Sequence, residues 1–415
     1  MERDEVAAWL RLTLTPGVGN ASASKLLAAF GPPESIFIQP ISTLAQVVSR
    51  KQATSLHTEA PELAVLLATT WNWLEANRQQ RRIVVLGDPT YPPSLLTIED
   101  PPLMLYLLGG QKNESAGNSG NGKSNSPSAP VQYVQTAIDL VAKSLASSIA
   151  VVGSRNPTPQ GAANARHFAK AFSEAGLTVV SGLALGVESA AHQGALDGRR
   201  TNDRRLATIA VVGTGLDRVY PKDHRDLAHR IAENGLIISE YPLGTPPLAE
   251  NFPKRNRLIA GLAQGTLVVE AALKSGSLIT ARLAAEHGKD VFAIPGSIQS
   301  TQASGCHALI KQGAKLVESA QDVLEMLKIV LPPTFATNSI AGRVYSAGTN
   351  DPFEDDSEAE SDLLTALGFD PVGLDALQAR TGISTPQLQA ELMTLELAGQ
   401  VARLPGGLFQ RLTVA

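Results

Sequence analysis

Three stretches of the chain decide its fold: IAVVGSR at residues 149–155, LTVVSGLALG at 177–186 and ATIAVVGTG at 207–215. Each is a short apolar run that stops at Gly or Ser and leads into a helical pattern. Leu236-Ile-Ile, Leu267-Val-Val and Val291-Phe-Ala-Ile repeat the design further on. Runs that are apolar at successive positions, rather than alternating, belong to strands covered on both faces. Alternating with helices, they predict a doubly wound, Rossmann-like parallel sheet, an α/β fold. In such sheets ligands bind at the carboxyl ends of the strands, so the residues just after each run carry the function.

Those residues are small and rich in free amides. They include Gly153-Ser154-Arg155, Ser181-Gly182, Gly213-Thr214-Gly215 through Arg218, and Lys274-Ser275-Gly276-Ser277 opening a helix that bears Thr280. Helix N-termini of this kind favour anions, so the crest of the sheet is expected to bind phosphates. A nucleoside triphosphate is disfavoured because G-x-x-x-x-G-K-[ST] does not occur. NAD(P) is little better supported, since Gly213-x-Gly215-x-x-Arg218 puts arginine where the third glycine should stand. No cofactor or metal site is expected. The segment Phe252-Pro-Lys254-Arg255-Asn256-Arg257 sets an aromatic among three cations, with Arg155 and Arg218 on neighbouring turns. Bases for phosphates around a ring for stacking suit single-stranded nucleic acid. The same composition equally suits a solvated loop whose arginines pair with local acids.

No catalytic constellation stands out. His192 follows Glu188 by four residues and shares its helix face, but a structural histidine at the sheet crest is the stronger reading. There is no G-x-S-x-G elbow.

Beyond the sheet, two segments read as disordered linkers. Residues 111–130 hold 14 Gly, Ser, Asn or Pro in 20, and residues 330–360 hold six acids against Arg343. They divide the chain into a small helical domain (1–75), the sheet domain (80–328) and a C-terminal domain (361–415). In the first, Pro16-Gly17-Val18-Gly19 between two helices resembles a helix-hairpin-helix or SAM-like turn. Few bases lie nearby, Arg11 and Lys25 among them, which favours a plain tight turn. The last reads as helices followed by a two-stranded wing, a winged-helix pattern. Its third helix, Thr385 to Ala398, carries Glu391 and Glu396 and no cation, which argues for protein contact or a vestigial role over duplex binding.

The 415 residues carry a net charge of −4, distributed as +4 over 149–328 and −7 over 329–415. One cysteine, Cys306, argues against a disulfide framework or a cysteine zinc site. No secretory pattern or membrane-length apolar run is present, so a cytoplasmic setting is expected.

The crest residues resemble the DNA-processing protein DprA/Smf family. The matching stretches are 91–102, Val151 to Arg155, Ser181 to His192, Gly215 to Pro221, FPKRNRLIAGL at 252–262, EAALKSGSLITA at 270–281 and 293–297. The resemblance implies a non-enzymatic binder of single-stranded DNA. It also implies a homodimer that loads the recombinase RecA during natural transformation. On that pattern Ser154 and Arg155 hold a phosphate, and Lys254, Arg255 and Arg257 track the backbone. Phe252 stacks a base, while Ser275, Gly276, Ser277 and Thr280 offer hydroxyls and amides. Two departures stand out: Glu188 replaces the family's usual Asp, and the loop Asp197 to Arg205 is longer and more basic. The contrasting reading is an enzyme acting on a nucleotide or ribose phosphate through Glu188, Glu240 or Glu270. A third, a pure protein adaptor, would lack Arg155 and Lys254, and both are present.

Overall fold

The computed structural model describes residues 1–110, 141, 144–199, 205–327, 362–368 and 370–412. The two linkers assigned from composition lie outside the described residues. Nine strands make the central sheet: β1 (Arg81–Val85), β2 (Met104–Gly109), β3 (Ser148–Val152), β4 (Thr178–Ser181), β5 (Thr208–Val211), β6 (Leu236–Ser239), β7 (Gly265–Val268), β8 (Asp290–Ala293) and β9 (Lys315–Leu316). Their order is β1-β2-β6-β5-β4-β3-β7-β8-β9.

Strands β3 to β9 are mutually parallel, as the apolar runs require. Their side chains alternate between two cores. Ala150, Val152, Val180 and Ile209 enter one cluster, while Ile149, Val151 and Val179 enter another on the opposite face. At one edge the sheet is extended by β2, antiparallel to β6, and by β1, antiparallel to β2. This antiparallel pair was not assigned from sequence. The chain winds from β3 outward to β6, then returns to the other side of β3 with β7. In α/β sheets ligands gather near such a reversal, at the carboxyl ends of the strands.

Helices Pro159–Glu174 and Val187–Asp197 cover one face with backbones in near contact. A Cβ at Gly194 would lie 2.0 Å from the Arg166 carbonyl oxygen, so only glycine fits there. Helices Asn251–Leu262 and Ser277–Glu286 cover the other face.

The N-terminal helices, from Arg3–Leu14 to Leu63–Ala76, pack against the antiparallel edge. Trp73 meets Tyr106 of β2 edge to face, with ring centroids 6.2 Å apart. A single hydrophobic cluster runs from Val6, Trp9 and Leu10 through Tyr106 to Ile231. The helical layer and the sheet therefore share a core. Helices Asp362–Leu367, Leu374–Thr381 and Thr385–Leu397 pack with three strands, β10 (Val372–Gly373), β11 (Val401–Leu404) and β12 (Leu408–Arg411). These strands are ordered β10-β12-β11, the winged-helix arrangement, around a core of Leu363, Leu377, Leu388, Leu392 and Phe409.

Candidate nucleic-acid interface

At the carboxyl edge of the sheet an exposed cation meets one ring of an aromatic pair. Arg155, just after β3, sits 5.6 Å from the centroid of the half-buried Phe252 ring. Tyr220 approaches Phe252 from the β5 side, centroid to centroid 5.6 Å with planes inclined by 47°. With Leu183, Gly213 and Pro221 these groups enclose a pocket of about 70 Å³. Tyr220 was absent from the sequence-derived site; its signal was an aromatic in the turn that follows β5.

The cations of the FPKRNR segment separate sharply. Lys254 is exposed, and its nearest acid, Glu250, is 3.9 Å away. Arg255 is buried: it donates to the Val211 carbonyl at 2.7 Å and to Glu188 Oε2 at 3.1 Å. Glu188 Oε2 also accepts from the Ala184 amide at 3.0 Å. Gly182 leaves room for the guanidinium, since a Cβ there would lie 1.6 Å from it. Arg255 and Gly182 are thus the floor of the site, not its surface, and the backbone-tracking role read for Arg255 is corrected. Helical periodicity turns this side chain onto the sheet while Lys254 turns out. Arg257 is only 15% exposed and is held by Glu240 at 2.5 Å and Asp100 at 3.4 Å, so its charge is largely spent within the fold. Asn256 is buried and donates to the Gly276 carbonyl at 3.3 Å, linking this helix to the next crest turn.

On the β7 side, Ser275 and Ser277 hydroxyls lie 2.6 Å apart above the helix start, with Gly276 exposed between them. Thr280 is buried a turn below, and Ser277 is buried as well, so neither presents a hydroxyl to solvent as expected. Lys274, outside the sequence-derived set, is exposed beside them. Ser154 is also buried. Its amide donates to the Glu270 carbonyl at 2.7 Å and its hydroxyl accepts from the Asn156 amide at 3.1 Å, so it shapes the turn that carries Arg155. Arg218 is exposed but tied to its neighbour Asp217 at 2.8 Å.

Not every crest helix is open to an anion. At the start of Pro159–Glu174 the Glu270 carboxylate already accepts from the Thr158 amide at 2.9 Å and hydroxyl at 2.6 Å. Burial pushes the Glu270 carboxyl above its ordinary range, against those two hydrogen bonds. Thr158 in turn accepts from the Gly161 amide at 3.0 Å. Thr158→Ala is expected to cost about 1–2 kcal/mol of stability in urea denaturation. A loss below about 0.5 kcal/mol would show that Glu270 alone secures this helix end.

His192 is fully buried between the Gly182 carbonyl, 2.5 Å from Nε2, and the Thr208 hydroxyl, 2.7 Å from Nδ1. The ring donates from Nε2 to the Gly182 carbonyl, and burial lowers its pKa to about 4. It is a structural pin, the reading preferred from the sequence over an acid/base pair with Glu188. Of the basic loop after Asp197, Arg199 donates to Asn234, and residues 200–204 lie outside the described residues.

Comparison with known proteins places this geometry. Residues 124–328 match the model for DNA recombination-mediator protein A, and residues 348–407 match the DprA winged helix domain. Protein Smf of Synechocystis is 32% identical across 99% of this chain and 100% of its own length. The chain belongs to the DprA/Smf family. Smf of Escherichia coli is 43% identical over 62% of the chain and 66% of its own length, just under two thirds of that relative. The X-ray structure of DprA from Streptococcus pneumoniae superposes with a TM-score of 0.56 at 34% identity, covering 78% of this chain and 98% of that one. The DprA/Smf frame thus accounts for the sheet, the crest turns and the winged helix together. Among the described residues no helix is long and apolar enough to cross a membrane, and no cluster of His, Cys, Asp and Glu has a metal-binding arrangement.

Proposed function

We propose that this chain binds single-stranded DNA, without sequence preference, along the carboxyl edge of its parallel strands. The observation that carries the reading is the Arg155–Phe252–Tyr220 group beside the exposed Lys254. It offers a ring for one base and cations for the adjoining phosphates, which serves any sequence because every base has a stacking face. Ser275, Gly276 and Lys274 continue the path across β7. Ser154, Gly182, Arg255, Asn256, Ser277 and Thr280 support it from beneath.

Family resemblance extends the proposal to a cytoplasmic homodimer that protects incoming DNA and hands it to RecA. Stimulation of RecA assembly on strands coated with single-strand binding protein tests the hand-over, and sedimentation tests the dimer. The winged helix is assigned to protein contact. Its helix Thr385–Leu397 exposes Met393 and Leu397 beside Glu391 and Glu396, a surface that repels phosphate.

Against the enzyme reading stand the partners of its three candidate acids. Glu188 is committed to Arg255, Glu240 to Arg257 and Glu270 to Thr158.

Fluorescence anisotropy of a labelled oligonucleotide, single-stranded and duplex, at two salt concentrations tests the main claim. Tight, salt-sensitive binding to the single strand is expected, and absence of binding would overturn it. Lys254→Gln is expected to weaken all sequences alike and to lower the salt slope by about one unit. An unchanged slope would remove Lys254 from the path.

A further inference from the structure

A second cavity, of about 530 Å³, lies beyond the crest pocket, where the N-terminal helices meet the ends of β2 and β6. The helix Asn251–Leu262 stands between the two: Phe252 and Arg255 line the crest pocket, Lys254 and Arg257 the cleft. Its polar lining is mixed. Asp100 and Glu240 supply acceptors, Lys254 and Arg257 supply donors, and their formal charges cancel. Such balance does not suit a bare phosphate; it suits a body that carries both donors and acceptors beside any charge. Tyr241, Pro102 and Pro242 add flat, largely apolar walls.

We propose that this cleft is a nucleotide site, taking the base against Asp100 and Arg257 and the phosphate at Lys254. The volume falls in the range of small-ligand pockets. Asp100 and Arg257 sit side by side, Oδ2 to Nη2 3.4 Å, so a carboxylate acceptor adjoins a guanidinium donor. A guanine edge presents the complement, N1–H and N2–H₂ beside O6. The Asp100 side chain is 47% exposed and Lys254 62%, and a ligand at Asp100 would share its Oδ2 with Asn20, whose Nδ2 donates to it at 3.3 Å. One oxygen of Glu240 and one terminal nitrogen of Arg257, shielded behind them, have no hydrogen-bond partner in the protein. The same chemistry is available from a free nucleotide or from an unstacked base of a bound strand.

Gly19 gives a clean way to close the cleft. It lines the cavity, its φ of −84° is ordinary for any residue, and an added Cβ meets nothing within 4 Å. The experiment titrates the full chain calorimetrically with GMP, AMP, CMP and UMP, and separately measures affinity for oligo-dT and for an oligonucleotide of mixed sequence containing dG.

The wild type is expected to bind one GMP per chain, at least tenfold tighter than CMP or UMP. Gly19→Trp is expected to weaken GMP at least tenfold while leaving oligo-dT unchanged, and Asp100→Asn to erase the preference for GMP. Phe252→Ala is expected to leave GMP binding intact. A loss confined to GMP in Gly19→Trp identifies a free-nucleotide site, and an added loss for the dG-containing strand identifies a base of the bound strand. No GMP binding by the wild type would overturn the proposal. So would GMP binding that survives Gly19→Trp but is lost in Phe252→Ala, which would put the nucleotide in the crest pocket. Failure of the crest reading is separate: it would show as oligo-dT affinity unmoved by Phe252→Ala, whatever GMP does.

Discussion

Arg255→Ala is expected to lower the stability of the sheet domain by about 3–5 kcal/mol, read as a shift in urea midpoint at unchanged slope. The guanidinium is buried, with one nitrogen on the Val211 carbonyl and another on Glu188. Removing it leaves the Glu188 carboxylate inside the protein without its counter-charge, and that desolvated charge is the main cost. The double variant Arg255→Met with Glu188→Leu removes both charges and keeps apolar volume, so it is expected to recover most of the loss. If the single variant costs less than about 1 kcal/mol, the pair is solvated and Arg255 returns to the list of surface cations. The outcome also separates two meanings of a basic motif, since the substitution acts on folding before it acts on DNA.

Phe252→Ala is expected to weaken single-stranded DNA by about 1–3 kcal/mol, or roughly 5- to 150-fold, through the lost stacking face. Because stacking is indifferent to base identity, oligo-dT and mixed sequences should lose affinity alike. The salt slope should stay where it was, since no phosphate contact is removed. That pattern is the reverse of the one expected for Lys254→Gln. A loss below about 0.5 kcal/mol in anisotropy titrations would make Phe252 a packing partner of Tyr220 and Arg155 and nothing more.

How legible the protein is from its sequence depends on how local the cause is. Strands β3 to β8 could be read because each is a continuous apolar run stopped by Gly, Ser, Pro or an acid, a signal contained in a few residues. The antiparallel edge could not: RRIVV at 81–85 and MLYLLG at 104–109 are apolar enough for strands, but nothing in them encodes direction. Strand β9 has only two residues. Where to look for a candidate site was legible, since ligands of such sheets gather at the turns after the strands. The division of labour within it was not. Lys254, Arg255 and Arg257 look equivalent in the sequence, yet one is exposed, one is buried against Glu188 and one is neutralised by Glu240 and Asp100. The Glu188 partner lies 67 residues away, and only the fold brings it within reach. Thr280 and Ser277 were misjudged for the same reason, because a hydroxyl at a helix start faces solvent or the sheet according to the packing above it.

The shared core of the N-terminal helices and the sheet decides which parts of the chain can be removed. A cluster that runs from Trp9 through Tyr106 to Ile231 makes the helical layer a wall of the sheet domain, not an appendage. Cutting it away would bare Ile83, Tyr106 and Ile231 to water and leave a sticky edge. The C-terminal unit closes its own core around Leu363, Leu377 and Phe409. Truncation before Asp362 therefore leaves the core of the sheet whole, whereas truncation of the N-terminal helices opens it.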